Sequence, residues 1–555
     1  MTDRLRIALA QMNQRVGDLA GNAADILARR DEAHAAGADL LLVPELQLTG
    51  YPPEDLVLNP EFLRRTAEAA AGLIAATAGP GPALVFGSVV VEGGKPYNAM
   101  IVAEDGKQRF VSFKRELPNY GTFDEKRVFA AGPLPEPFVF RGVRIGFPIC
   151  EDIWLDDVCA HLVDAGAELL LVANGSPYEL DKDHIRRNLV ESRVASTGLA
   201  LAYLNRVGGQ DELAFDGSSF IVNPDGRTVV QMADWEEAML VTDWARDPGG
   251  RWSCVTREHR VLDQYPADIY HAMIVALRDY VGRNGFPGVL LGLSGGIDSA
   301  LSAAIAVDAL GPDKVWAVMM PSAYTASDSV ADASECARLL GCRHDVIPIV
   351  PGVTALGEML RPAFAGTEAG LAEENIQSRL RMVTLMALSN RFGHMVLTTG
   401  NKSELSVGYA TLYGDMSGGY SVLKDAFKST VFALSRWRNG HRPRGALGPP
   451  GPVMPERVID KPPSAELRPG QRDDDSLPPY ALLDPILVGL VDEERSVAEV
   501  ADQTGADPLL VAEMERLVLR AEYKRRQAPP GVKIGARNFG RDRRYPITNA
   551  FRTAR

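Results

Sequence analysis

The stretch VLLGLSGGIDSALSAAIAVDAL, Val289 to Leu310, reads as a buried strand, a tight Ser-Gly-Gly turn and a helix, because an unbroken apolar run meets two glycines and then an Ala-rich segment. Gly295 and Gly296 open backbone N–H groups to close approach, Ser294 and Ser299 add hydroxyls, and the helix N-terminus adds positive potential. Together these make an anion cradle. A tight connection alone would place the same glycines. Asp298 argues further, since a carboxylate beside bound phosphate is repulsive unless a divalent cation bridges them, and magnesium is therefore expected. No GxxxxGK[ST] pattern occurs, so the phosphate loop of kinase-like or GTPase-like nucleotide binders is not indicated.

Around this stretch, KVWAVMMP (Lys314 to Pro321) and HMVLTTGN (His394 to Asn401) are apolar runs ending in small or polar residues, the pattern of a doubly wound α/β sheet. The first half shows the same alternation. Its strand candidates are Arg6 to Met12, Asp39 to Pro44, Ala83 to Val90, Val143 to Ile149, Glu168 to Ala173 and Ala200 to Val207. Periodicity breaks at RDPGGRW (Arg246 to Trp252) and a new helical pattern starts at PADIYHAM, which puts a boundary near Pro266 and predicts domains over 1–265 and 266–555. The Pro- and Gly-rich region Gly440 to Tyr480, including Asp473, Asp474 and Asp475, is a candidate lid. No internal repeat is found.

A chain of 555 residues with 46% hydrophobic and 24% charged residues exceeds what one core serves. The 59 Lys and Arg against 72 Asp and Glu give −13, which argues against a nucleic-acid binder. No run of about eighteen apolar residues suggests a membrane span, and MTDRLRIALA lacks a secretory core, so a cytoplasmic protein is expected. The five cysteines, Cys150, Cys159, Cys254, Cys336 and Cys342, form no paired CxxC motifs.

In the first half, VPELQLTGYPPED, FKRELPNYGTFDE and IGFPICEDIW carry Glu45, Lys114 and Cys150, each at or just beyond an apolar run. A thiol attacks an amide carbonyl as thiolate, so the site needs a base for its proton and a cation for the developing negative charge. Glu45 and Lys114 could supply these, provided burial brings a carboxylate nearer to a thiol in basicity. By spacing alone, Cys150 is better read as a packing residue. Strand alternation directs Glu151 away from the thiol, and Asp152 reads as a cap of the following helix.

These three segments resemble, in order and context, the Glu-Lys-Cys triad of the nitrilase superfamily, and in particular its glutamine-hydrolysing branch fused to NAD synthetases. The resemblance spans nearly the whole first half and implies an αββα sandwich, with Tyr120, Ser176 and Lys182 as glutamine-binding residues. SGGIDS in turn resembles the pyrophosphate loop of the N-type ATP pyrophosphatases. EENIQSRLR (Glu373 to Arg381), TTGNKSELSVGYATLYGDMSGG (Thr398 to Gly419), KPPSAELRPGQRDDDSLPPY (Lys461 to Tyr480) and EYKRRQAPPGVKI (Glu522 to Ile534) narrow this to the NAD synthetases. Matching implies ATP contacts at Gly292, Leu293, Ser294, Gly295, Gly296, Ile297, Asp298, Ser299, Thr399, Lys428 and Ser464. It implies magnesium on Asp298 and Glu404, and deamido-NAD on Asn375, Arg379, Glu404 and Lys524.

Two departures from that family are visible. Leu412 stands where a substrate-contacting lysine is frequent, and Ala326 replaces a frequent serine. Apart from the resemblance, the basic run Lys524, Arg525, Arg526 reads as a solvated helix face. What the resemblance implies is ammonia release from glutamine feeding amidation of an adenylylated carboxylate, with a shielded path for the ammonia and pairing of synthetase domains into a homo-oligomer. Amidation of a different acid, or a first half that serves only oligomer contacts, are the alternatives.

Overall fold

The computed structural model describes residues 3–468, 470, 471, 475 and 477–553; Asp473 and Asp474 lie outside them. The chain forms two compact units, Met1–Asp263 and Gln264–Arg555.

The first unit is built on two seven-stranded sheets. One runs in the order Trp252–Cys254, Ala238–Arg246, Arg4–Gln11, Leu40–Leu42, Ala83–Glu92, Lys95–Glu104, Lys107–Phe113. The other runs Glu258–His259, Thr228–Gln231, Phe220–Val222, Leu201–Asn205, Leu169–Asn174, Val143–Gly146, Phe138–Phe140. Strand alternation explains why they stack. Ile7, Leu9, Leu40 and Leu42 share one core with Ile145, Leu169, Leu171, Ala202 and Leu204. The intervening Ala8, Ala10, Leu41 and Leu84 turn to the opposite face and pack with Ile26, Ala33, Ala70 and Leu73 of helices Leu19–Ala35 and Pro60–Ala76. On the far side, Leu170, Val172, Leu201 and Tyr203 pack with Val158, Leu162, Val190 and Val194 of helices Asp156–Asp164 and Lys182–Thr197. The result is an αββα sandwich. Both helices on the first face start where the sequence supplies a cap: Asp18 accepts from Gly21 N, and Asn59 accepts from Glu61 N ahead of Pro60.

The second unit holds a five-stranded parallel sheet in the order Arg343–Val346, Val315–Met319, Val289–Gly292, Met395–Thr398, Tyr420–Ser421. The chain leaves the central strand Val289–Gly292 for its neighbour on one side and later returns to the other. The loops after Gly292 and Thr398 therefore part at a switch point, where such sheets hold ligands. A separate helical core, with Leu483, Ile486, Leu487, Val500, Val511, Met514 and Val518, follows Tyr480. Among the described residues, no helix is long and apolar enough to cross a membrane.

Candidate functional site

In the first unit, Glu45, Lys114 and Cys150 each follow the end of a strand: Leu40–Leu42, Lys107–Phe113 and Val143–Gly146. The first loop lies flush on the neighbouring strand because Gly87 carries no side chain; a Cβ there would stand 2.1 Å from Leu46 N. Glu45 and Lys114 are both fully buried, with Lys114 Nζ 2.8 Å from Glu45 Oε1. The same ammonium is 2.9 Å from the Glu125 carboxylate, which also accepts from Tyr51 OH at 2.9 Å. Asn98 Nδ2 donates to Glu45 Oε1 at 2.7 Å, and Gly175 N donates to Oε2 at 2.7 Å. Both carboxylate oxygens of Glu45 thus have fixed partners.

Cys150 has a positive φ of 45° and opens the short 3-10 turn Cys150–Ile153. Burial raises its thiol well above the ordinary range, Glu45 adds to the shift, Lys114 opposes it, and Glu151 and Glu125 add again. Burial also raises Cys159 and Cys336 to about 12 and Cys254 and Cys342 to about 11. A raised thiol is therefore common to all five cysteines, and Cys336 too feels a lysine and carboxylates; what sets Cys150 apart is that its lysine and carboxylate, Lys114 and Glu45, form a fully buried pair. Burial opposes the Lys114 ammonium, yet Glu125 and Glu45 outweigh this and its pKa stands above the usual lysine value. Burial likewise raises Glu125 against the pull of Lys114.

Two sequence expectations are corrected here. Because Glu151 sits on a 3-10 turn, strand alternation does not apply, and its charge acts on Cys150. It accepts from Tyr120 OH at 3.0 Å and lies within the electrostatic reach of Lys182, whose Nζ is 5.2 Å from the Trp154 ring centroid. Asp152 does not cap the following helix, which starts without a side-chain cap. It is buried and accepts from the backbone N–H of Ile149, Arg115 and Glu116 at 2.8–2.9 Å, tying the Cys150 turn to the Lys114 segment. Ser176 is held by its backbone N–H on Asn205 Oδ1 and by Arg186 Nε on its Oγ at 3.1 Å. Glu125, Asn98 and the Gly175 N–H escaped the sequence reading. Glu125 stood in a quoted segment, but nothing in its spacing distinguished it from Asp124.

In the second unit, the loop after Val289–Gly292 closes on itself. Ser299 Oγ donates to Gly296 O at 2.9 Å, accepts from Ser294 N at 3.1 Å and meets Ser294 Oγ at 3.0 Å. Gly295 has φ 80°, and a Cβ there would stand 2.2 Å from Ser329 O, so conformation and packing both demand glycine. This loop borders a cleft of about 410 Å3, a volume suited to a nucleotide. Gly292, Leu293, Ser294, Gly296, Ile297, Asp298, Ser299, Thr399, Glu404, Lys428 and Ser464 line it, as does Ala326.

Asn401 Nδ2 donates to Asp298 Oδ1 at 2.9 Å, Lys428 Nζ pairs with Asp298 Oδ2, and it lies 3.3 Å from Glu404 Oε1. Two carboxylates thus converge on one cationic group. Among the described residues, no cluster of three His, Cys, Asp or Glu gathers as a metal cage. That donor set suits magnesium delivered with phosphate, whose oxygens and waters complete the shell. The segment Lys461–Leu467 also lines the cleft, held by Lys461 on Asp332 at 3.1 Å and by Ser329 Oγ on Glu466 at 2.6 Å.

Asn375, Arg379 and Lys524 gather on the loop Gly408–Leu412. Thr411 Oγ1 donates to Asn375 Oδ1 at 3.0 Å, Arg379 Nε to Leu412 O at 3.2 Å, and Lys524 Nζ to Gly408 O and Ala410 O at 2.8 Å. The reading of Lys524–Arg526 as a solvated face is corrected: Arg525 is buried, donating to Leu405 O, Ser406 O and Glu522.

Residues 6–252 match the carbon-nitrogen hydrolase family and residues 269–528 the NAD synthase family. The chain is 49% identical to a glutamine-dependent NAD(+) synthetase of Rhodobacter capsulatus over the whole of both chains, and 44% identical to that of Acinetobacter baylyi over 99% of each. A glutamine-dependent NAD+ synthetase structure from Acinetobacter baumannii in complex with adenosine diphosphate superposes with a TM-score of 0.78 at 42% identity, covering 98% of this chain and 99% of that one. The Cytophaga hutchinsonii enzyme of the same name, 21% identical, shares the fold with a TM-score of 0.82 over 99% of this chain and 98% of that one. A buried Glu-Lys pair beside a cysteine, a Ser-Gly-Gly cleft and full-length relatedness at this level lead to one conclusion: the chain belongs to the glutamine-dependent NAD(+) synthetases.

Proposed function

We propose that the chain hydrolyses glutamine at Cys150 and uses the ammonia to amidate adenylylated deamido-NAD, giving glutamate, NAD, AMP and pyrophosphate. The observation that carries this reading is the fully buried Lys114 held between Glu45 and Glu125 beside Cys150, in a chain that also carries a nucleotide-sized cleft.

In the first unit, Cys150 Sγ attacks the side-chain carbonyl carbon of glutamine while Glu45 takes its proton and passes it to the departing ammonia. Water then cleaves the thioester with Glu45 again as base. Lys114 has three N–H donors; Glu45 and Glu125 engage two, which leaves the third for the tetrahedral oxyanion. Tyr120, Ser176 and Lys182 hold the substrate, and Glu151 meets its α-ammonium as an opposite charge. In the second unit, the nicotinate carboxylate displaces pyrophosphate from the α-phosphorus of ATP, and ammonia then displaces AMP from the mixed anhydride.

The loop Gly292–Ser299, Thr399, Lys428 and Ser464 hold ATP, while Asn375, Arg379, Glu404 and Lys524 hold deamido-NAD. Asp298 and Glu404 would hold a magnesium ion, which when bound would neutralise charge on the departing pyrophosphate. Within the candidate lid Gly440 to Tyr480, the segment Lys461–Leu467 walls the cleft and would exclude water from the adenylate. Because ammonia is mostly protonated in neutral water, its transfer proceeds without mixing with bulk solvent. A homo-oligomer built on synthetase-domain dimers is supported by helix Val350–Leu360, none of whose residues is buried, and by exposed Leu371, Val383, Met386 and Phe392, an apolar face for a second copy. The cytoplasm is the proposed compartment.

Replacing Cys150 by serine is expected to lower glutamine-dependent NAD formation by at least ~1,000-fold while ammonium-dependent formation stays within about twofold. Both are read by enzymatic assay of NAD. Equal loss with both nitrogen sources would sink the division of labour.

A further inference from the structure

Lys428 opens the helix Lys428–Gly440, with its backbone N–H on Ser403 Oγ at 2.9 Å, and only 1% of its side chain is exposed. Its ammonium pairs with Asp298, lies 3.3 Å from Glu404 Oε1 and faces the Tyr480 ring with 5.2 Å to the centroid. Asp298 is engaged on both oxygens, by Lys428 and by Asn401. The two carboxylates read above as metal ligands therefore share one ammonium from within the chain, which offsets one of their two negative charges.

We infer that Lys428 is a built-in counter-cation of the Asp298–Glu404 pair, one that keeps free divalent cations out and yields the carboxylates only when a nucleotide polyphosphate draws it away. The inference rests on the reading of those two residues as metal ligands. A divalent ion arriving alone must displace an ammonium from a nearly buried position, where like charges repel strongly and the ammonium gains no new partner. Magnesium also gives up its hydration waters reluctantly. A polyphosphate removes both obstacles, since its oxygens pair with the ammonium and complete the metal's shell. Metal and nucleotide binding are then coupled, and coupling of this kind is reciprocal.

The test is manganese binding to nucleotide-free protein, read by electron paramagnetic resonance. The Lys428→Met protein is expected to bind manganese at least ~10-fold more tightly than wild type, within the ordinary range of coupling between sites. Lys428→Arg, which keeps the charge, is expected to bind as weakly as wild type. Equal manganese affinity in Lys428→Met and wild type would overturn the inference. A measurement on the unaltered protein guards against misfolding of the variants: a crystal structure with manganese and a non-hydrolysable ATP analogue is expected to show the Lys428 ammonium on phosphate and off both carboxylates. Finding it still between them, with metal bound elsewhere, would overturn the inference too. Asp298→Asn separates the two readings. If it leaves manganese–nucleotide binding intact, the metal-ligand assignment itself fails; if it weakens that binding while Lys428→Met matches wild type, only the counter-cation role falls.

Discussion

Lys114 and Lys428 are both nearly sealed from solvent and both lie between two carboxylates, yet one belongs to a set of buried side chains and the other to the wall of a cleft of about 410 Å3. Lys114 donates to Glu45 and Glu125, and those carboxylates are held in turn by Asn98 and the Gly175 N–H on Glu45 and by Tyr51 on Glu125. Around Lys428, two carboxylates face a space sized for a polyanion. The first arrangement is assembled before substrate arrives, while the second holds its charges in a provisional pairing that a ligand rearranges. Cutting an amide with a thiol needs fixed distances, whereas moving phosphates requires charges that can be traded.

The sharpest way to break this contrast is Lys114→Met. It strands two buried carboxylates, so a loss of about 3–5 kcal/mol in stability is expected, together with loss of glutaminase activity, both read on the same preparation by denaturant melts and glutamate release. A variant as stable as wild type would mean that the first site is not the preassembled one. Gly295→Ala probes the cleft. Strained φ and a clash with Ser329 O should cost about 1–3 kcal/mol and distort the phosphate loop, lowering ammonium-dependent synthesis while glutamine hydrolysis continues. Comparable loss in both half-reactions would show that the sites are not independent.

Glu45→Gln sharpens the electrostatic side. Since Glu45 raises the Cys150 thiol, its removal should shift the pH profile of Cys150 alkylation to lower pH, while glutaminase activity falls by at least ~100-fold. Burial and the neighbouring carboxylates hold the wild-type thiol above its ordinary range, so its alkylation is expected to climb at higher pH, and removing a nearby negative charge favours thiolate. A more reactive but less active enzyme would mark Glu45 as the base rather than a mere spectator. Ser299→Ala should have the smallest effect, about 1 kcal/mol of loop bracing and less than a ~10-fold fall in ammonium-dependent kcat/KM.

Glu45, Lys114 and Cys150 were legible chiefly through the family resemblance of their segments, with which their places at the ends of apolar runs agree. Glu125 was not, since an acidic residue in a loop becomes a site carboxylate only when tertiary contact places it on Lys114, eleven residues away. Asn98 and the Gly175 N–H carry no sequence mark at all; their partner Glu45 is 53 and 130 residues distant. Glu151 was misdirected because alternation was applied to what proved to be a 3-10 turn. Arg525 was misread because a charge run carries no record of the carbonyls of Leu405 and Ser406 that bury it.

Periodicity and residue chemistry pointed, from sequence alone, to two successive α/β layouts and a glycine-rich anion loop, while the thiol with its base and cation was marked by a family resemblance. These are local matters: strand and helix periods repeat over a few residues, and the glycines of a phosphate turn must be adjacent to work. Only the tertiary structure decided which charges neutralise which. The pairing of Lys114 with Glu45 and Glu125, and of Lys428 with Asp298 and Glu404, joins residues up to 130 positions apart. Their energies depend on distance and on exclusion of water, quantities that come into being when the sheets and loops close around them.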